Sequence, residues 1–196
     1  MDWERLPTID TSRLCLRSIS AADVDDFFAV YSNPEVMRYW STPPLPNREA
    51  AAKEITGIHE GFKRRESLKW AIALRADNRL IGTATLFRLD FTHRRAEIGY
   101  ALGRDEWGKG YMQETLRAVI NYAFDTLDFH RIEADVDPRN AASIRTLERL
   151  AFQREGYLRE RWHVGGEIQD ALFYGLIRPD WETANSTADT PANTLT

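Results

Sequence analysis

Near the start of the chain Leu14 and Leu16 alternate with Arg13 and Arg17, the period-two spacing of a short, half-buried strand. Ser20 and Asp23 then open a helix that repeats its apolar residues at Val24, Phe27, Phe28 and Tyr31, and Asn33-Pro34 stops it. Tyr39 to Pro46, with three prolines, reads as an extended aromatic loop. A second helix carries Ala51, Ile55, Ile58 and Phe62 along one face. Strands follow at Leu68 to Leu74 and Leu80 to Phe87, joined as a hairpin by Ala76-Asp77-Asn78-Arg79, and another at Ala96 to Leu102. Between Tyr111 and Leu127 the stripe of Met112, Leu116, Val119, Ile120, Ala123, Phe124 and Leu127 predicts the longest helix. Ile132, Ala134 and Val136 form a fifth strand, and Asp137 to Asn140 caps a helix bearing Ile144, Leu147 and Leu150. Two last strands, Gln153 to Trp162 and Ile168 to Leu176, flank the turn Val164-Gly165-Gly166. The pattern predicts an α/β layered domain with a mixed sheet of seven strands and four helices.

Residues 1–181 form one predicted domain, since no linker or repeat divides them. Residues 182–196 hold Leu195 as their single large apolar side chain and read as a disordered tail. No apolar run approaches the roughly 20 residues of a membrane span, and the acidic N-terminus is unlike a signal peptide, so a cytoplasmic protein without membrane partners is expected. A formal net charge of −4 argues against nucleic acid as a partner. The basic residues are mostly arginine, with lysine at Lys53, Lys63, Lys69 and Lys109, which reads as codon bias rather than a phosphate-binding design. Cys15 stands alone, and His59, His93, His130 and His163 lack ligand spacing, so no disulfide framework and no metal are expected.

Chemistry concentrates where the Ala96 to Leu102 strand enters the long helix. Trp107-Gly108-Lys109-Gly110-Tyr111-Met112-Gln113 joins a strand to a helix N-terminus through two glycines. Such a loop lets backbone approach an anion, and the free N–H groups and helix dipole favour a phosphate. Neither the Walker spacing nor the dinucleotide pattern is present, because Gln113 stands where the last glycine of the latter would fall. Two glycines alone would equally shape a plain turn.

Further segments fix the reading. Thr11-Ser12-Arg13-Leu14-Cys15-Leu16-Arg17 with Asp23, Asn33-Pro34-Glu35-Val36-Met37-Arg38-Tyr39-Trp40, Glu97-Ile98-Gly99-Tyr100, Trp107 to Glu114, and Asn140-Ala141-Ala142-Ser143 before Leu150-Ala151-Phe152 occur in this order. Together they resemble the GCN5-related N-acetyltransferase (GNAT) superfamily over residues 10–178, and within it the RimJ/RimL ribosomal-protein branch and its small-molecule-modifying relatives. The resemblance implies a single-domain fold with a mostly antiparallel sheet, and acetyl-CoA as co-substrate. It places the coenzyme diphosphate on the backbone of Trp107, Gly108, Lys109, Gly110, Tyr111, Met112 and Gln113. The pantetheine arm would pair with backbone of Ile98, Tyr100, Ala101 and Leu102, and would meet Asn140 and Ser143. Arg145 and Arg149 are within the same helix and are candidates for coenzyme phosphates or plain solvated charges. Trp107 and Met112 depart from the general superfamily loop, and Leu147 occupies the position of its frequent tyrosine acid, which leaves Ser143 or a water for that role.

Acetyl transfer to an amine requires loss of an amine proton and stabilisation of the thioester oxygen and departing sulfur. Glu97 is the candidate base, with a surface pairing to Arg94, Arg95 or another arginine as the competing reading. The resemblance implies direct transfer without an acyl-enzyme, to a protein N-terminus or a small-molecule amine. Cys15 shows no activating neighbour. His59 is an acceptor-side residue or a surface one, and Tyr39, Trp40 and Trp162 fall on segments that resemble the family's acceptor-cleft walls, with ordinary burial as the competing reading for each. A catalytically silent acyl-CoA-binding module of the same fold is the alternative of a different class. Monomer and homodimer both fit the sequence.

Overall fold

The computed structural model describes residues 3–188. Among the described residues, eight strands form one sheet in the order β1-β2-β3-β4-β5-β6-β8-β7. They are β1 (Ile9–Asp10), β2 (Leu14–Arg17), β3 (Ser67–Leu74), β4 (Leu80–Asp90), β5 (Arg95–Leu102), β6 (Arg131–Val136), β7 (Gln153–Val164) and β8 (Glu167–Ile177). Neighbours run antiparallel except β5 and β6, which are parallel. That one parallel step requires a crossover, supplied by the helix between them.

The six α-helices among the described residues are α1 (Val24–Tyr31), α2 (Pro34–Met37), α3 (Arg48–Lys63), α4 (Tyr111–Asn121), α5 (Ala141–Arg149) and α6 (Arg178–Ala188). They divide between the two faces of the sheet. One apolar core joins the sheet to α4, α5 and α6 through Leu116, Val119, Ile120, Leu147 and Trp181. The other joins it to α1 and α3 through Phe27, Val30, Tyr31, Ala51 and Ile55. Arg17 reaches from β2 to Asp23 through two bonds of 2.9 and 2.7 Å, while Asp23 accepts from Ser20 N–H at 2.7 Å, which fixes the entry to α1.

Five expectations need correction. Pro34 does more than end α1: Asn33 accepts from Glu35 N–H at 2.9 Å and Pro34 opens α2, where its missing N–H costs nothing. The long helix stops being regular at Asn121 and continues as a π-helical turn over Tyr122–Thr126. The strand expected to end at Phe87 runs on to Asp90 through a register shift, and an eighth, two-residue strand, β1, pairs with β2. Finally, residues 182–188 belong to α6 rather than to a tail. Trp181 is buried and donates to Asn121 Oδ1 at 2.8 Å, and Arg117 donates to Asn185 Oδ1 at 2.9 Å. The remainder of the expected tail, 189–196, lies outside the described residues. Among the described residues no helix is long and apolar enough to cross a membrane.

Candidate active site

The site begins with a divergence of two strands. β4 pairs with β5 along its length, from Gly82–Leu102 to Phe87–Glu97. β6 pairs with β5 only from Arg95–Arg131 to Glu97–Glu133, and from Ala134 onward bonds β8 alone. Among the described residues, the edge of β5 over Ile98–Leu102 is therefore left without a strand partner on the β6 side, and backbone polar groups there are open to an added extended chain. The Leu102 carbonyl is the exception, since it accepts from the Trp107 indole N–H at 2.7 Å. A cleft of about 200 Å³ occupies the gap. Its walls include Glu97, Ile98, Gly99 and Tyr100 of β5, Ala134 and Val136 of β6, and Asn140, Ser143 and Leu147 on the α5 side.

The two faces of β5 serve the cleft differently. Ile98, Tyr100 and Leu102 belong to the α4–α5 core, whereas Ala101 belongs to the α1–α3 core. Strand alternation puts Glu97 and Gly99 with Ala101. Glu97 and the Tyr100 phenol thus reach the cleft from opposite faces of one strand.

Beyond β5 the chain makes the expected glycine turn. Gly108 and Gly110 take φ of 76° and 80°, a region side chains disfavour, and Gly110 directly precedes α4. Glu114 N–H bonds the Gly110 carbonyl at 3.1 Å, so the amides just before it are those that an α-helix leaves without a backbone partner. These amides, the left-handed glycines and the open β5 edge fit a chain carrying a phosphate at one end and amides along its length. The Lys109 side chain is engaged: its Nζ donates to Glu106 Oε2 at 2.9 Å, and Arg79 holds Glu106 from the other side at 3.0 Å. Trp107 is exposed, with Arg104 stacked on its ring.

Glu114 anchors this turn to the first hairpin. One carboxylate oxygen accepts from Thr11 Oγ1 at 2.6 Å, Ser12 Oγ at 2.9 Å and Arg13 N–H at 2.8 Å, while the other takes Arg13 Nε–H at 2.7 Å. Arg13 also donates to the Lys109 carbonyl at 2.9 Å. Burial works against the charge, but these hydrogen bonds outweigh it and hold the carboxyl down at about 2. A depressed folded value contributes stability above the unfolded pKa of about 4.3, and that contribution is lost as pH falls toward 2. Glu114→Gln is expected to cost about 1–3 kcal/mol at pH 7 and progressively less between pH 4.5 and 2. Urea denaturation of both proteins across that range checks it; a gap that stays constant with pH would exclude a titrating anchor.

Glu97 pairs with neither Arg94 nor Arg95. Its Oε1 accepts from Arg88 Nη1 at 2.7 Å, and the carboxylate is 13% exposed at the cleft wall. Arg94 instead binds Asp128, and Arg95 binds Asp90 and Glu133. Arg88 sits at φ 50°, within the irregular end of β4, just past Phe87, the register partner of Glu97, where the ladder shifts before Asp90. The expected alternative, pairing with another arginine, is the one found, although a strand ending at Phe87 did not point to Arg88 in particular.

Asn140 Oδ1 accepts from Ser143 N–H at 3.1 Å, which makes Asn140 first of all the cap of α5. The cap fixes the first turn and thereby sets Ser143 facing β5. Ser143 Oγ lies 2.7 Å from the Tyr100 hydroxyl. Burial pushes the Tyr100 phenol up to about 12, against the opposing effect of the Ser143 bond. The sequence placed Tyr100 here for its backbone alone and gave no sign of the hydroxyl pair.

Tyr39, Trp40 and Trp162 all line the cleft, as their segments implied. Asp135 and Asp170 line it too, and Trp162 Nε1 and Arg161 Nε each lie 3.3 Å from Asp135. His59 is not among the lining residues: its Nε2 bonds the Ile19 carbonyl at 2.7 Å, tying α3 to the chain after β2. Arg145 and Arg149 are exposed on α5. Burial and the nearby Asp10 push the Cys15 thiol up, away from a reactive thiolate.

A family model described as "Acetyltransferase (GNAT) domain" matches residues 13–153. The N-acetyltransferase p20 of Bacillus licheniformis is 34% identical over 176 residues, covering 90% of this chain and 99% of its own. The [ribosomal protein uS5]-alanine N-acetyltransferase of Escherichia coli is 39% identical over 84 residues, 43% of each chain. Among solved structures, spermidine N-acetyltransferase of Vibrio cholerae in complex with CoA and spermine superposes with a TM-score of 0.77 at 22% identity, covering 88% of this chain and 99% of that one.

Proposed function

Because the chain belongs to the GNAT acetyltransferase family and so moves an acetyl group to an amine, we propose that it takes the acetyl group from acetyl-CoA and passes it directly to a primary amine in the cleft between β5 and β6. The observation that carries this reading is the unpartnered β5 edge, which opens onto Glu97 at one end and the glycine turn at the other. Acetyl-CoA would supply the activated thioester. Its diphosphate would be received by backbone of residues 107–113, and its pantetheine arm by Ile98, Tyr100 and Ala101, with Asn140 and Ser143 across the gap. Trp107 closes the Leu102 carbonyl rather than offering it.

The amine enters from the mouth walled by Tyr39, Trp40 and Trp162. An amine arrives largely as ammonium at neutral pH, and the carboxylates of Asp135 and Asp170 suit that charge. Glu97, oriented by Arg88, takes one proton so that nitrogen becomes nucleophilic. No acyl-enzyme is required, in keeping with the raised thiol of Cys15. The acceptor is a protein N-terminus or a small amine, used in the cytoplasm.

Thiol release from acetyl-CoA, measured across N-terminal peptides, polyamines, aminoglycosides and amino acids, tests the proposal. At least one class is expected to give amine-dependent turnover well above background hydrolysis. Thermal stabilisation by acetyl-CoA with no thiol released by any amine would instead identify a silent binding module.

A further inference from the structure

Resting on the acetyltransfer reading above, we propose that Tyr100 is a positioning residue that turns the Ser143 hydroxyl toward the departing sulfur, so that the pair stabilises a thiolate by hydrogen bonding rather than by giving it a proton. The observation is the 2.7 Å contact between the two hydroxyls inside the cleft. Leu147, one turn further along α5, lines the same cleft and has no polar atom to offer. The phenol arrives instead from β5, across the gap.

Direction in the pair follows from chemistry. A phenol oxygen shares its lone pairs with the ring, so it donates better and accepts worse than an aliphatic hydroxyl. In the proposed arrangement Tyr100 donates and Ser143 accepts. Ser143 has one hydrogen and two lone pairs; with a lone pair engaged, its hydrogen is left to point into the cleft. The Ser143 main chain is held independently by the Asn140 cap at 3.1 Å, so the hydroxyl swings from a fixed turn.

Magnitudes run against proton transfer. A phenol held at about 12, facing a thiolate whose conjugate thiol has a reference pKa of about 8.5, would give up its proton against more than three orders of magnitude. An aliphatic hydroxyl is a weaker acid still. A hydrogen bond to developing charge carries no such penalty and is strong where water is excluded. The step balances accordingly. One nitrogen proton passes to Glu97 before attack; the nitrogen–carbon bond forms as the carbon–sulfur bond breaks, and that electron pair stays on sulfur. The second nitrogen proton leaves to water, and sulfur takes a proton from solvent once released.

The test compares wild type, Tyr100→Phe, Ser143→Ala and the double variant by thiol release, with thermal shift by acetyl-CoA alongside. Tyr100→Phe is expected to lower kcat by about 10–100-fold, with KM for acetyl-CoA and melting temperature nearly unchanged. The double variant should be no slower than Ser143→Ala, because one interaction is removed by either change. Repeating the assay with the acetyl selenoester of coenzyme A adds a readout that a packing role would not move. A selenolate leaves more readily, so the penalty of Tyr100→Phe should shrink. Wild-type kcat in Tyr100→Phe, additive losses in the double variant, or a penalty equal for both esters would each overturn the proposal. A wild-type protein inert with every amine would instead overturn the acetyltransfer reading, and this inference with it.

Discussion

Acetyl-CoA is expected to raise the melting temperature of the wild-type protein by about 5–10 °C at a concentration near 100 times its dissociation constant, and that of Gly110→Val by a small fraction of this. The substituted residue sits at φ 80°, immediately before α4. A β-branched side chain there costs about 1–3 kcal/mol of backbone strain, so the unliganded variant melts lower as well. The new Cβ would lie 3.4 Å from Arg13 Nη2, the flexible end of a side chain that can yield. The comparison must therefore be between ligand-induced shifts and not between melting temperatures. Gly165→Val supplies the matched control: its φ is 57°, nothing lies within 4 Å of the added Cβ, and it stands in the β7–β8 turn, away from the glycine loop. It should lose comparable stability and keep the whole shift. Equal shifts in wild type and Gly110→Val would remove the loop from the coenzyme site.

The same glycines show where sequence reasoning succeeds. A turn at positive φ before a helix has few solutions, and two glycines at this spacing announce one. Alternation along Leu68 to Leu74 and the stripe from Met112 to Phe124 likewise report burial directly, because one buried face is the physical cause of the period. What failed depended on contacts distant in sequence. Residues 182–186 carry almost no apolar signal, yet they continue a helix because Trp181 docks on Asn121 and the α4 core. The two-residue β1 has no period to read and exists through its pairing with β2. Pro34 is a breaker for the helix before it and a starter for the helix after it, and only the Asn33 cap decides. In the site, the resemblance brought Glu97, Asn140, Ser143 and the three aromatic residues to one place, and all of them line the cleft. The partner of Glu97 and the partner of Ser143 were not legible. Arg88 comes into place through a shift of register, and Tyr100 through the approach of α5 to β5, neither of which leaves a local mark.

Replacing Glu97 by Gln keeps the side chain's shape and its capacity to accept from Arg88, and removes the base. Affinity for acetyl-CoA, read as the thermal shift, should persist, while kcat falls by about 10²–10⁴-fold. The remaining rate should climb more steeply with pH than in the wild type. A protein α-amine has a reference pKa of about 7.7–8.0, so free amine becomes abundant without assistance as that range is passed. The competing role for Glu97 is the ion pair itself. Arg88 is 54% exposed, and a pair so open to solvent contributes about 1 kcal/mol or less. If that were the whole role, the variant would melt about 2–4 °C lower, with near-normal kcat in the folded protein and an unchanged pH profile. Arg88→Gln separates the two further, because it breaks the same pair and leaves the carboxylate in the cleft. As scaffold partners the two variants should behave alike. With Glu97 as the base, Arg88→Gln should lose part of kcat through disorder of the carboxylate and retain the wild-type slope with pH, whereas Glu97→Gln changes the slope itself. Matching slopes in both variants would send the search for the base to water held by Asp135 or Asp170.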